Sequence, residues 1–365
     1  MGSIDRHGDR WRVRYQADGR RISRSGFATR AEARAWLAQV EVDIGRGRHV
    51  DPRSGRVLFA EYADLWLAGL IAEPSTKDRT KSRVQAQLLP AFGSRRLDEV
   101  RREHVRAWIA TMAARYSPSY VRSCLVTLRS ILQEAVDAGR LPSNPAAGVA
   151  GPPIRAEERR FLSAAEVESL SAAIDDRFRA LVLLAAYSGL RWGELAGLRM
   201  QNLDLLRGRV TVVEVLARGD GGRRYTKSFP KTAAGRRTVA VPRAVVEALR
   251  SHVETYGLGE GGLVFSTARG KPLRHADWNE VHFGPAVLRA GLAGPPRPTF
   301  HSLRHTHAAL LVAQGTHPKA VQRRLGHASI RTTLDTYGHL YEEHEAEITE
   351  GLDQTLASIK TQARP

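Results

Sequence analysis

The chain of 365 residues holds a single cysteine, Cys124. One thiol cannot build an intrachain disulfide framework or a zinc ribbon, and such sparing use of cysteine suits a reducing cytosol. No apolar run approaches the length of a membrane span, and the opening MGSIDRHGDRWRVRY has charges but no apolar core of a secretory signal. These absences imply a cytoplasmic protein with no membrane partner. Acidic residues are also in short supply, 38 Asp and Glu against 56 Lys and Arg, for a formal net charge of +18.

Motifs for cofactors are missing as well. The one formal G-x-G-x-x-G, Gly257, Gly259 and Gly262 in GLGEGG, follows a helical pattern and precedes strand-like LVF. That reverses the order that aims a helix N-terminus at a pyrophosphate, so it reads as a turn. His301 and His305 stand one helical turn apart, but the residue between them that a zinc hydrolase needs as a carboxylate is Arg304. A cation there opposes a metal, and a donor pair aimed at an anion is the natural reading. The expectation is no metal and no cofactor.

What is present is positive charge, nearly all of it arginine, whose planar fork grips phosphate oxygens with two donors at once. Residues 1–50 and 51–150 each carry a net +5, residues 151–340 carry +12, and the last twenty-five carry −4. A polyanion touching everything except the tail is the implied partner, and nucleic acid fits.

The pattern of apolar residues predicts a mainly α protein with small β-sheets. WRVRY (Trp11 to Tyr15), a turn at Asp18-Gly19 and RISRSGF (Arg21 to Phe27) predict a small sheet. A three-turn helix follows, opened by a Thr29/Glu32 capping box, with Ala33, Trp36, Leu37, Val40 and Ile44 at helical spacing. Arg12, Arg14, Arg20, Arg21 and Arg24 stud this ribbon; they either face DNA or solvate the outer face of the sheet. Residues 57–142 read as all-helical, with Lys77 and Lys81 as further candidate DNA contacts and a helix from Ser117-Pro118 to Gly139. A Pro- and Gly-rich exit, LPSNPAAGVAGPP (Leu141 to Pro153), and a linker at 143–158 separate this from a third segment, 159–340. That segment opens with a Ser163/Glu166 capping box, runs helical to Gly189, and carries strand-like RVTVVEV (Arg209 to Val215) and RTVAVP (Arg237 to Pro242) before more helices.

Donors gather in this third segment. SGLRWGELAGLR places Arg191 just beyond Gly189, with Glu194 three residues on to brace it; PKTAAGRRTVAVP holds Lys231 in a loop; FHSLRHTHAALLVAQG presents His301 and Arg304 on one helix face; LGHASIRTTLDTYGHL holds His327 and Tyr337. Singly, each reads as easily as a surface ion pair, a solvated lysine or a packed tyrosine. The four in this order resemble the catalytic core of tyrosine recombinases, in particular phage- and mobile-element-type integrases. The resemblance implies a three-domain, DNA-clamping architecture: an arm-site-binding domain at 1–50, a core-site-binding domain at 57–142, a catalytic domain at 159–340 and an acidic tail at 341–365.

The resemblance also assigns roles. Arg191 and Arg304 would clamp the scissile phosphate, His301 and His327 would complete the cage, Lys231 would protonate the leaving 5′ oxygen, Tyr337 would be the nucleophile, and Glu194 would support Arg191. Lys227 is a second lysine nearby, and the PKT match alone favours Lys231. His305, His307 and His339 read as packing or phosphate-facing residues. The implied reaction cuts and rejoins double-stranded DNA through a 3′-phosphotyrosyl bond and a four-way junction, as a homotetramer on DNA in a prokaryotic nucleoid, with a DNA-bending host factor and a directionality factor as further partners. The tail, with Ile348, Leu352 and Leu356 at helical spacing, would dock on a neighbouring protomer. A type IB topoisomerase shares this chemistry, and a catalytically inactive DNA-binding accessory protein shares the fold; both stand as alternatives.

Overall fold

The computed structural model describes residues 2–17, 19–46, 49–51, 53–154, 160–218, 224–228, 236–342, 349, 350, 352–354 and 356. The chain divides into two compact units, residues 1–156 and 157–365.

The first unit begins with an antiparallel sheet of β1 (Ser3–His7), β2 (Arg10–Ala17) and β3 (Arg20–Phe27), in that spatial order. Alternation sends Val13, Tyr15, Ala17 and Ile22 inward against α1 (Arg30–Gly45), which supplies Ala33, Leu37 and Val40. At 16 residues α1 exceeds four turns rather than three, because nothing breaks the helix before Gly45. Thr29 caps it as its sequence implies, accepting the Glu32 N–H at 3.1 Å. The Glu32 carboxylate, however, takes the N–H of Ala28 at 2.9 Å, one residue before the reciprocal partner a capping box uses.

A second core in this unit is mainly helical. It comprises α2 (Phe59–Gly69), α3 (Pro74–Arg83), a π turn at Val84–Leu88, α4 (Leu89–Phe92), α5 (Arg102–Ala113) and α6 (Pro118–Asp137). Ser117 caps α6 by accepting the Tyr120 N–H, and the stripe Val121, Leu125, Leu128, Leu132 and Ala135 is fully buried among Phe59, Phe92 and Val105.

The second unit packs α8 (Asp176–Ser188) against α7 (Ala164–Ala173), α10 (Arg243–Tyr256) and α13 (Phe300–Ala313), around a core that includes Leu181, Leu184, Leu249 and Leu303. The Ser163/Glu166 box is reciprocal, with bonds of 3.1 and 2.8 Å. Among the described residues between α8 and α10 lie the short α9 (Trp192–Ala196) and five strands: β4 (Leu203–Asp204), β5 (Arg209–Val212), β6 (Glu214–Arg218), β7 (Arg224–Ser228) and β8 (Arg237–Ala240). Further helices of this unit are α11 (His275–Trp278), α12 (Gly284–Arg289), α14 (Pro318–Leu325), α15 (Ile330–Tyr337) and α16 (His339–Glu342).

Two strand expectations need correction. RVTVVEV is not one strand: the chain leaves the β4-β5-β8 sheet at Val213, and its second half pairs with β7 in a separate hairpin. The hairpin backbone is drawn instead onto α9, where a side chain on Gly197 would bring its Cβ within 2.8 Å of the Leu216 nitrogen. LVF is not a strand either; Leu263 makes one bridge to Arg199, Val264 donates to the Leu198 carbonyl, and the turn closed by Thr267, Gly270 and Lys271 stops further pairing.

Aromatic packing aligns the two helix starts that matter for the site. The Trp192 ring lies 4.9 Å from His275, 4.9 Å from Trp278 and 5.1 Å edge-on from Phe300. Such pairs add about 0.5–1.5 kcal/mol each beyond area burial. Trp192 follows Arg191 and Phe300 precedes His301, so one cluster anchors both segments.

Candidate active site

Gly189 ends α8 with φ +67°, a left-handed cap that non-glycine residues avoid, and so turns the chain toward Arg191. A Cβ here would also lie 2.6 Å from the His307 ring and 2.8 Å from Leu325. Arg191 then occupies the N-cap of α9. Its N–H donates to Glu194 Oε2 at 2.8 Å and its Nη1 to Oε1 at 3.1 Å, the bracing the sequence suggested.

The second brace was not anticipated. Arg237, at the start of β8, donates to both Glu194 oxygens, at 3.1 and 2.7 Å, and through Nε to the Arg324 carbonyl at 2.8 Å. Burial pushes the Glu194 carboxyl upward, but the bonds and charge of Arg237, with those of Arg191, outweigh it and leave the group below the ordinary carboxylate value. Glu194 is therefore an anion enclosed by two arginines.

Arg304 is 3% exposed and points at the same region. It donates through Nη1 to the Gly189 carbonyl at 2.5 Å and through Nη2 to the Leu325 carbonyl at 2.7 Å, while Arg191 Nη2 reaches the next carbonyl, Gly326, at 3.4 Å. The loop that carries His327 thus receives one donor from each arginine. Burial and the charge of Arg191 push Arg304 down to about 9, so it remains a cation at neutral pH. Two of its five N–H donors are used in these bonds, which leaves donors for a ligand.

His327 Nδ1 pairs with the buried Thr333 hydroxyl at 2.9 Å, leaving Nε2 for other contacts. Burial, then the charges of Arg304, Arg191, Arg237 and His301, push His327 down to about 4. It is a neutral imidazole among cations at pH 7. His301 is exposed at the start of α13 and stacks edge-on against His305 with centroids 4.7 Å apart. Tyr337 is 1% exposed, and its hydroxyl lies 2.9 Å from His305 Nδ1.

Lys231 lies outside the described residues, as do Asp18 and Ile348, and Lys227 belongs to β7. Of the tail apolar residues, Leu352 and Leu356 are exposed, at 61% and 56%. His307 is a packing residue: buried, it accepts from Arg324 Nε at 2.8 Å, and burial and Arg324 push it down to about 3. His339 packs on Phe161.

The five ribbon arginines do not share one face. Arg12, Arg14 and Arg21 lie on the side of the sheet away from α1, where Arg12 and Arg14 both pair with Asp5. Arg20 and Arg24 occupy the register positions that alternate with them, and Arg24 stacks 4.9 Å over the Trp36 ring of α1. Lys77 and Lys81 are exposed one turn apart on α3, beside Arg79 and Arg83.

Cations and neutral donors gathered near a tyrosine on a helical unit are the equipment of an enzyme that handles anionic phosphodiesters. The phage integrase family model matches residues 160–344, and the phage integrase central domain model matches residues 59–152. A protein named as a prophage phiRv2 integrase of Mycobacterium tuberculosis is 30% identical over 356 residues, covering 93% of this chain and 91% of its own. The integrase of Mycobacterium phage D29 is 26% identical over 332 residues, 87% of this chain and 86% of its own. Among solved structures, the Tn1549 transposon integrase in complex with a circular intermediate DNA shares the fold with a TM-score of 0.69 at 22% identity, over 80% of this chain and 99% of that one. A lambda integrase tetramer bound to a Holliday junction does so with a TM-score of 0.61 at 18% identity, over 92% and 94%. The chain belongs to the phage integrase family and is a tyrosine site-specific recombinase.

Proposed function

We propose that this recombinase integrates or excises a mobile element by breaking and rejoining two DNA duplexes, one strand pair at a time, with Tyr337 as nucleophile. The observation that carries the reading is the single loop Leu325-Gly326-His327, toward which Arg304 and Arg191 each direct a donor from a different helix. A scissile phosphate seated there would meet Arg191, Arg304, His301 and His327. These groups neutralise charge that grows on the non-bridging oxygens in the transition state; losing one such donor costs about 3–4 kcal/mol, a factor of roughly 10²–10³ in rate.

Attack by the Tyr337 oxygen forms the bond to phosphorus and expels the 5′ oxygen, which takes its proton from Lys231. The phosphotyrosyl ester keeps the energy of the broken linkage, so a 5′ hydroxyl from a second duplex can displace the tyrosine and yield a four-way junction. Four protomers on DNA carry out two such exchanges, and the acidic tail joins neighbouring protomers. Residues 1–50 would bind arm sites and residues 57–142 the core site, with Lys77 and Lys81 against phosphates. The arrangement of Arg12, Arg14 and Arg21 favours the outer sheet face as the arm-binding surface. A bending host factor and a directionality factor would act with it in the nucleoid.

The test uses nicked duplexes tiled from the DNA flanking the coding region, resolved on denaturing gels. A covalent adduct with the natural protein and none with Tyr337→Phe supports the reading. Native-gel binding with no adduct from either protein favours an accessory protein, and relaxation of any supercoiled plasmid favours a topoisomerase.

A further inference from the structure

Of His305, His307 and His339, it is His305 that touches the tyrosine. Its Nδ1 lies 2.9 Å from the Tyr337 hydroxyl, within hydrogen-bond range, and the rings meet edge-on with centroids 5.7 Å apart. The contact joins α13 to α15 across 32 residues of sequence. It is not a loose surface pairing: Tyr337 is 1% exposed and packs with Ala308, Val321 and Leu325, while Phe161 packs edge-on against the His305 ring at 6.5 Å. Burial deprives a phenol of water as its proton acceptor, and a tyrosine of ordinary pKa near 10 is a poor nucleophile at pH 7. The imidazole at hydrogen-bond distance supplies what the burial removes.

We propose that His305 is a catalytic residue that accepts the Tyr337 proton during attack on the phosphodiester; this rests on the assignment of Tyr337 as nucleophile made above. In the resting enzyme the phenol donates to Nδ1, which requires the neutral imidazole with its proton on Nε2. As the Tyr337 oxygen bonds to phosphorus, the O–H bond breaks and the proton passes to Nδ1, while the bond to the 5′ oxygen breaks and that oxygen is protonated from the Lys231 side. When a 5′ hydroxyl later attacks the phosphotyrosine, its proton passes to the Lys231 amine that the first step left neutral, and the imidazolium returns its proton to the departing phenolate. The same group therefore serves both directions, as a reversible exchange requires. Among the described residues, the titratable groups packed against His305 include His301, edge-on from one turn earlier on α13, and Tyr337 on α15; His339 of α16 lies beyond Phe161. Arg304 precedes it in sequence but directs its guanidinium to the Gly189 and Leu325 carbonyls.

Two measurements test the proposal. The first needs no DNA: nitrogen–hydrogen correlation spectra of the free full-length protein, with His305 assigned by its loss in His305→Gln, report which ring nitrogen holds the proton at neutral pH. Protonation at Nε2 supports the proposal, and protonation at Nδ1 overturns it. The second is the pH profile of single-turnover adduct formation on a nicked duplex that the natural protein cleaves. His305→Gln should lose about 10²-fold or more at pH 7, with the deficit shrinking steadily as pH rises and solvent takes over the proton, while duplex affinity stays unchanged. A uniform deficit at every pH means the ring is only structural and refutes the inference, as does an unchanged rate. If the adduct forms normally in Tyr337→Phe, the parent assignment has failed, which is a distinct result from either His305 outcome.

Discussion

Replacing Arg237 should damage the enzyme more than its absence from the catalytic set suggests. The Glu194 side chain is fully buried and Arg237 only 7% exposed, whereas the Arg191 side chain is 41% exposed and its charge is correspondingly screened. Arg237 therefore supplies most of the compensation for the buried carboxylate. Removing one partner of a buried pair costs about 3–5 kcal/mol, because the other charge is left behind. Arg237→Gln should lose that much stability in the second unit. In the natural protein the depressed Glu194 pKa contributes stability above the ordinary carboxylate range that is lost as pH falls through the folded value. In the variant burial dominates, the folded pKa rises, and the sign reverses: the destabilisation grows as pH climbs through that raised value. Urea-dependent hydrogen exchange, read on peptides covering residues 176–196, isolates the second unit and avoids assuming one transition for a chain of two units. A cycle with Glu194→Gln should reveal a coupling of about 2–3 kcal/mol. Additive losses within about 0.5 kcal/mol, or an Arg237→Gln cost below about 1 kcal/mol, would refute the reasoning.

Three further outcomes follow from the same geometry. Gly189→Ala must accept a positive φ and a Cβ 2.6 Å from His307, so it should lose at least about 2 kcal/mol in urea titrations and weaken adduct formation by displacing a carbonyl that Arg304 holds. His307, held down to about 3 against an ordinary value of 6.5, binds its proton more readily unfolded; stability should fall as pH drops from 6.5 toward 3, by about 3 kcal/mol at pH 4.5, and His307→Gln should remove that share of the slope in urea midpoints at pH 7 and 4.5. Thr333→Val deletes the hydroxyl that orients His327 and should slow adduct formation about 2–10-fold with DNA affinity unchanged in gel shifts, the worth of one hydrogen bond of about 0.5–1.5 kcal/mol.

Local signals in this chain translated directly into structure. The Ser163/Glu166 box, the Ser117 cap and the Arg191–Glu194 pair are contacts within three residues, and each forms where the spacing put it. The site as a whole was legible only through four motifs in order, since each alone reads as an ordinary surface feature. Interactions between distant segments left no trace in spacing. Arg237 meets Glu194 across 43 residues and sits in a run, GRRT, where either arginine could have been the solvated one. His305 was visible as the residue one turn after His301, but only the packing of α15 on α13 shows that its neighbour is the Tyr337 hydroxyl. The division of RVTVVEV at Val213 was equally hidden, because the choice of partner strand depends on how closely α9 admits a backbone at Gly197.

The central claim is that Tyr337 becomes covalently joined to DNA in a site built by Arg191, Arg304 and His327. Its most direct test is mass spectrometry of the adduct after nuclease trimming and proteolysis. The account predicts a nucleotide linked through its 3′ phosphate to the peptide that contains Tyr337, with fragment ions that place it on that tyrosine. A nucleotide on another residue, or linked through its 5′ phosphate, would contradict it.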